Sequence, residues 1–267
     1  MASTILQVKY YVLMILIFML GTSSAYADEP IMITLSTHMN NVVFDGKWSF
    51  TEEWKASSLN NFFYDDGTEI ELRSAHQDNF IYIMIDDLTD TNYQKRSDYA
   101  MICFDKNDAK PQESTSNDYC FVNVLNGTES YTLQGGSTLG FNGNFKKITN
   151  FDGLVAIGNV SDKHDRYSLD PHSSYEFRIP LDKLGRLDHY GFYMAVFESH
   201  TGKIYTYPKD ISSKNTFEIP PPKLWGDLIS PDQSLPEFPW PLLILSVTIS
   251  SLIVIIRLKK SEIYCKY

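Results

Sequence analysis

The chain has 267 residues, with 33 Asp and Glu against 23 Lys and Arg, and a formal net charge of −10. An acidic surface of this kind repels nucleic acid and anionic lipid, so neither is expected as a partner. Zinc-protease HExxH, paired CxxC and P-loop signatures are all absent, and GGSTLG (135–140) misses the nucleophile-elbow spacing by one residue. No catalytic residue is therefore assigned.

The first segment, MASTILQVKYYVLMILIFMLGTSSAYA, has Lys9, an apolar run from Tyr10 to Leu20 and a small-residue A-x-A ending at Ala27. This is the pattern of a secretory signal peptide over 1–27. Beyond it, 18 basic residues face 32 acidic ones up to the tail, a balance of about −14. IMITLS (31–36) reads as a strand. In DGKWSFTEEWKASS (45–58) an Asp-Gly turn precedes Trp48, and TEEWKASSL (51–59) predicts one or two helical turns holding Trp54. Trp54 is read as a packing residue and Trp48 as a candidate to touch a ligand.

Strands follow at 69–76 and 80–86. In the second, Ile81, Ile83 and Ile85 share one face and Phe80, Tyr82, Met84 and Asp86 the other, so both faces are expected to be at least partly covered. The strand ends in IDDLTDTNYQKRSD, where Asp86, Asp87 and Asp90 fall within five residues. Hard oxygens on one loop suit calcium, with a solvated acidic loop as the other reading.

YAMICFD (99–105) and DYCFVNV (118–124) flank a turn-rich loop. Antiparallel pairing about its middle sets Cys103 opposite Cys120, Met101 opposite Val122 and Asp105 opposite Asp118. A cross-strand disulfide is then geometrically reasonable, and an exported chain favours it over two buried thiols. The sequons at Asn126 and Asn159 could carry glycans. SYEFRIP (174–180), YGFYMAVFES (190–199) and KIYTYP (203–208) complete the alternating segments, with a short helical turn at LDKLG (181–185) closed by glycine.

The proline-rich stretch 219–237 reads as a stalk. FPWPLLILSVTISSLIVII (238–256) is 19 residues long, enough at about 1.5 Å per residue to cross a hydrocarbon core of about 30 Å. Trp240 lies at its start, and Arg257, Lys259, Lys260 and Lys266 follow its end. The expected layout is a signal peptide (1–27), an ectodomain (28–218), a stalk (219–237), one transmembrane helix (238–256) and a cytoplasmic tail (257–267). The fold class is all-β: an antiparallel, jelly-roll-like β-sandwich with short helical turns, plus that single helix. It places the chain in the cell membrane with its N-terminal domain outside.

The order DGKW…EW (45–54), RSAHQDNFIYIMIDDLTD (73–90), SDYAMICFD (97–105) and SYEFRIPLDKLG…YGFYMAVFES (174–199) resembles family 9 carbohydrate-binding modules and their DOMON-like relatives. The resemblance implies a sandwich that binds a glycan or polysaccharide without catalysis, with calcium in some members. Sugar recognition needs exposed aromatic faces and nearby polar groups. No second tryptophan after Trp54 lies in the strands, so Tyr93, Tyr205 and Tyr207 are the candidates beside Trp48.

A related sandwich, similar to the haem domain of ethylbenzene dehydrogenase and DOMON cytochromes, implies a b-type haem held by a methionine and a second side chain. Met84, Met101 and Met194, with His76 and His189, are the residues that reading requires. A structural surface protein, similar in layout to single-pass proteins of archaeal cell surfaces, is the third reading.

Overall fold

The computed structural model describes residues 29–127, 130–138, 144–209, 211 and 218–230. The expected signal peptide, transmembrane segment and tail lie outside these. Among the described residues no helix is long and apolar enough to cross a membrane.

The strands, in chain order, are β1 (Ile31–Met32), β2 (Thr34–Leu35), β3 (Ser58–Phe63), β4 (Glu69–Gln77), β5 (Phe80–Asp87), β6 (Tyr99–Asp105), β7 (Asp118–Val124), β8 (Ser130–Gln134), β9 (Lys146–Ile148), β10 (Val155–Val160), β11 (Ser173–Pro180), β12 (His189–Glu198), β13 (Lys203–Tyr207) and β14 (Gly226–Ile229). They form two sheets. The larger runs β1-β14-β12-β6-β7-β8-β9, with β13 also on β12; the smaller runs β10-β11-β5-β4-β2, with β3 also on β4. The segment expected as one strand at 31–36 serves both sheets, since β1 pairs with β14 and β2 with β4, each in parallel.

The sheets pack face to face through alternate residues, as a period of two requires. Ile70 and Leu72 of β4, Ile81, Ile83 and Ile85 of β5, and Tyr175, Phe177 and Ile179 of β11 meet Ile102 and Phe104 of β6, Phe121 of β7 and Phe192 and Met194 of β12. The opposite faces are covered too, which is why the strands read as continuous apolar runs. Trp48, Trp54, Met39 and Tyr167 lie over Ala75, Tyr82 and Met84 of the smaller sheet. Phe145, Ile219 and Trp225 lie over Met101, Val122 and Tyr193 of the larger.

The pairing of β6 with β7 places Cys103 opposite Cys120, and the two are joined. The same register sets Asp105 opposite Asp118, which is fully buried. Burial pushes the Asp118 carboxyl up to about 6; the Thr115 N–H opposes this, and the Asp105 charge adds to it. A carboxyl raised in the fold contributes stability that is full below its unfolded value near pH 4 and is lost as pH rises through about 6. Asp118→Asn, which removes the charge and can donate to Asp105, is expected to raise stability at pH 7.5 by about 1–2 kcal/mol. It should give no gain at pH 4, as measured by thermal melts at the two pH values.

Two expectations are corrected. The stretch 219–237 is not all stalk: Pro222–Leu224 forms a 3-10 turn, the Trp225 indole N–H donates to the Pro220 carbonyl at 2.9 Å, and β14 pairs antiparallel to β12 with Leu228 in the core. Prolines are tolerated there because they fall before the strand, where no ladder N–H is needed. Residues 51–57 form turns instead of a helix, and β3 starts at Ser58. The short helix at Leu181–Leu184 is present, with Gly185 at φ 75° after it.

Candidate functional site

Two of the four segments that carry the family resemblance, DGKW…EW and SYEFRIP, meet at one buried carboxylate, Glu176. Its Oε2 accepts from the backbone N–H of Asp45 (2.9 Å) and Gly46 (2.7 Å), and its Oε1 from the Trp54 indole (2.8 Å). Gly46 has φ +84°, and a Cβ there would lie 2.7 Å from the Asn159 backbone nitrogen, so no other residue fits. Trp48 is also fully buried. Its ring meets Tyr167 edge-on at 5.7 Å with the Arg73 guanidinium 5.2 Å away. Trp48 is thus unavailable to a ligand, contrary to expectation: the pair is a latch that fastens the opening segment onto the smaller sheet.

The tyrosines proposed for stacking are also placed differently. Tyr207 is buried, with its hydroxyl donating to the Glu29 carbonyl at 3.0 Å, and Tyr93 is half-buried against the inter-sheet core. The ring of Tyr205 is buried, but its hydroxyl reaches a small open cleft lined by Phe63, Tyr64, Asp65, Asp66 and Lys209 and enclosing about 240 Å³. The end of β3 and the β3–β4 turn supply most of this cleft, and Tyr205 of β13 with Lys209 just beyond that strand complete it.

Phe63 presents an exposed ring there, at 58%. Asp66 accepts from Lys203 Nζ at 2.7 Å, the Tyr205 hydroxyl at 3.0 Å and the Thr68 N–H at 3.1 Å. The Lys203 ammonium, first among these, holds the Asp66 carboxyl well below the usual carboxylate range, so it is a fixed anionic acceptor. Lys209 donates to the Phe63 carbonyl at 2.8 Å, with its ammonium 5.7 Å from the Tyr64 ring. Phe63 carried one signal in the sequence: adjacent aromatics on a strand face opposite sides, so one of Phe62 and Phe63 has to point outward.

The acidic strand end does not form one cluster. Successive residues of β5 face opposite ways, so Asp86 goes to the outer face and Asp87 to the inner. Asp90 instead shares a corner with Glu198 and His200, whose ring nitrogens lie 3.7 Å from Asp90 and 3.9 Å from Glu198, and buried Asp87 lies close enough to feel the charge of both acids. Neither Asp90 oxygen nor Asp87 Oδ2 has a hydrogen-bond partner. Burial pushes all three carboxyls up, Asp90 to about 6. Buried carboxylate oxygens without donors are the chemistry that a hard divalent cation satisfies.

The residues set out for haem are dispersed. Met84 lies in the layer under Trp48, Met101 on the outer face of the larger sheet and Met194 between the sheets. His76 is buried against Ser230 at 3.2 Å, and His189 lines a polar surface cleft with Lys106, Asp108 and Asp188. No pair of them shares a slot. Of the sequons, Asn126 is exposed, with Thr128 outside the described residues. The Asn159 amide nitrogen, where a glycan would attach, instead donates to the Asp45 carbonyl at 3.0 Å, and Ser161 is buried.

No protein-family model matches the chain, and no curated protein matches it. Two solved structures are similar to it: a family 9 carbohydrate-binding module from Caldicellulosiruptor kristjanssonii in complex with cellotriose, and a module of the same description with glucose. Each is 15% identical with a TM-score of 0.47 and covers 76% of this chain; the match spans 93% and 95% of those chains, respectively. They belong to the family the sequence resembles.

Proposed function

We propose that the protein is a non-catalytic carbohydrate-binding module, displayed outside the cell on a single C-terminal membrane anchor. The observation that carries this reading is the cleft at Phe63, Asp66, Tyr205 and Lys209. An exposed aromatic face suits the apolar side of a sugar ring, and a carboxylate held in place by three donors suits its hydroxyls. At about 240 Å³ the cleft is smaller than the roughly 300–1,000 Å³ of sites for drug-sized molecules, which limits it to about one sugar residue.

The sequence resemblance to family 9 modules supports the ligand class, and the leader and apolar C-terminal segment support the anchor. Calcium belongs to the same reading, held by Asp87, Asp90 and Glu198. It would neutralise three buried carboxylates and tie the loop after β5 to the end of β12.

The test is binding of the purified full-length chain to a panel of polysaccharides and oligosaccharides, by affinity electrophoresis and calorimetry. Phe63→Ala should weaken binding about 10-fold without moving the melting temperature, because the ring is exposed. Asp66→Asn should weaken it by roughly 10 to 100-fold. A wild-type chain that binds nothing in the panel, or binding that Phe63→Ala leaves unchanged, would overturn the reading.

A further inference from the structure

We infer that Asp86, Asp165 and His172 form a site for a divalent ion of the zinc class, which staples the β10–β11 connection to the smaller sheet. Asp86 leaves β5 on the outer face, Asp165 lies midway along the connection, and His172 immediately precedes β11. The site is separate from the cleft proposed for sugar and from the carboxylates assigned to calcium.

All three side chains are sealed from solvent, with exposures of 2% for Asp86 and 0% for Asp165 and His172. The histidine ring is oriented by its other nitrogen. Nδ1 lies 2.7 Å from the Asp170 carbonyl oxygen and 2.8 Å from Ser161 Oγ. A carbonyl only accepts, so Nδ1 carries the proton and donates, and Nε2 is the atom turned toward the acids. This is the arrangement that fixes the tautomer of metal-bound histidines.

Nε2 lies 2.8 Å from Asp86 Oδ1 and 3.9 Å from Asp165 Oδ2, and all three candidate ligand atoms lie within 4.8 Å of one another. A tetrahedral ion with bonds of about 2.0–2.1 Å spaces its ligand atoms about 3.4 Å apart, so to take one Asp86 Oδ1 would move out, and Asp165 Oδ2 in, by about half an ångström each.

A second observation points to the same occupant. Asp86 Oδ2 and Asp165 Oδ2 are buried without a hydrogen-bond partner. So is Ser174 Oγ, on the residue that pairs with Asp86 across β5 and β11. Orphaned oxygens on both acids and on the serine paired with one of them are unusual in a folded protein, where buried polar atoms are almost always satisfied. The donor set also selects the metal. One imidazole nitrogen with two carboxylates matches zinc-class ions, whereas calcium takes six to eight oxygens. The competing arrangement is a proton on Nε2, which makes His172 an imidazolium paired with Asp86.

The test uses the purified full-length chain, stripped with EDTA and titrated at pH 7.5 with ZnCl2, and separately with CaCl2, by calorimetry and thermal melts. One equivalent of zinc should bind at micromolar or tighter affinity and raise the melting temperature by several degrees. His172→Gln and Asp165→Asn should abolish that response, while Glu52→Gln, at an exposed surface pair, should keep it. Cobalt in place of zinc should give visible d–d bands of a four-coordinate site with nitrogen and oxygen ligands, a readout on wild type that holds even where a variant fails to fold. The inference is overturned by a stripped wild type that neither binds zinc nor shows the cobalt bands, leaving the imidazolium pair. Zinc binding that survives both His172→Gln and Asp165→Asn overturns it equally.

Discussion

Replacing Trp54 by alanine is expected to destabilise the protein by roughly 3–5 kcal/mol, the range for deleting a fully buried large aromatic. Two losses add up there. The indole fills the layer between the opening segment and the smaller sheet, and its N–H is the donor to Glu176 Oε1. Burial pushes the Glu176 carboxyl well up, so removing a donor makes its charge costlier still. In a domain of this size the melting temperature should fall on the order of 10 °C. Trp54→Phe separates the terms, since it keeps most of the packing and loses the hydrogen bond, and it should fall between wild type and alanine. An alanine variant that melts with wild type would remove Trp54 from the core.

The second large effect is expected from the cross-strand disulfide. Cys103 and Cys120 are 17 residues apart and both fully buried under Trp225 and Tyr193. Cross-linking a loop of about that length restricts the unfolded chain by roughly 3 kcal/mol. The double variant Cys103→Ala/Cys120→Ala should therefore melt on the order of 10 °C lower. Reducing the wild type under partly denaturing conditions, with the thiols counted by mass spectrometry, should give a similar loss. A fully reduced wild type with unchanged stability would show that β6 and β7 need no covalent tie.

The two variants probe different kinds of information. The disulfide followed from local pattern: both strands are short apolar runs around a polar loop, and symmetry about that loop sets the register. The role of Trp54 did not follow in the same way. The E-W pair was recognisable, but its partner Glu176 is 122 residues away and the Asp45 contact to Glu176 spans 131. That D-G, E-W and E-F-x-I-P meet at one carboxylate is decided by the stacking of the opening segment on β11, which no spacing encodes.

The candidate sites divide in the same manner. Tyr205 and Tyr207 are candidates for stacking in the sequence because no further tryptophan lies in the strands, yet both rings point into the inter-sheet core. Phe63 was overlooked because SLNNFF has no alternation to separate inside from outside. β10 with its central glycine and β14 behind a run of prolines were hidden for the same reason: their strand character comes from the neighbours they pair with. Asp165 and His172 belong to no motif, and only the fold of their connection brings them to Asp86.

By itself, the sequence determined the all-β class, most central strands, the disulfide register and the family resemblance, because period-two patterning and turn chemistry are local. Only the tertiary structure decided which faces are covered, which aromatics reach solvent and which acids converge. Those depend on how two sheets and their overlying segments are layered, and layering is a property of contacts distant in sequence.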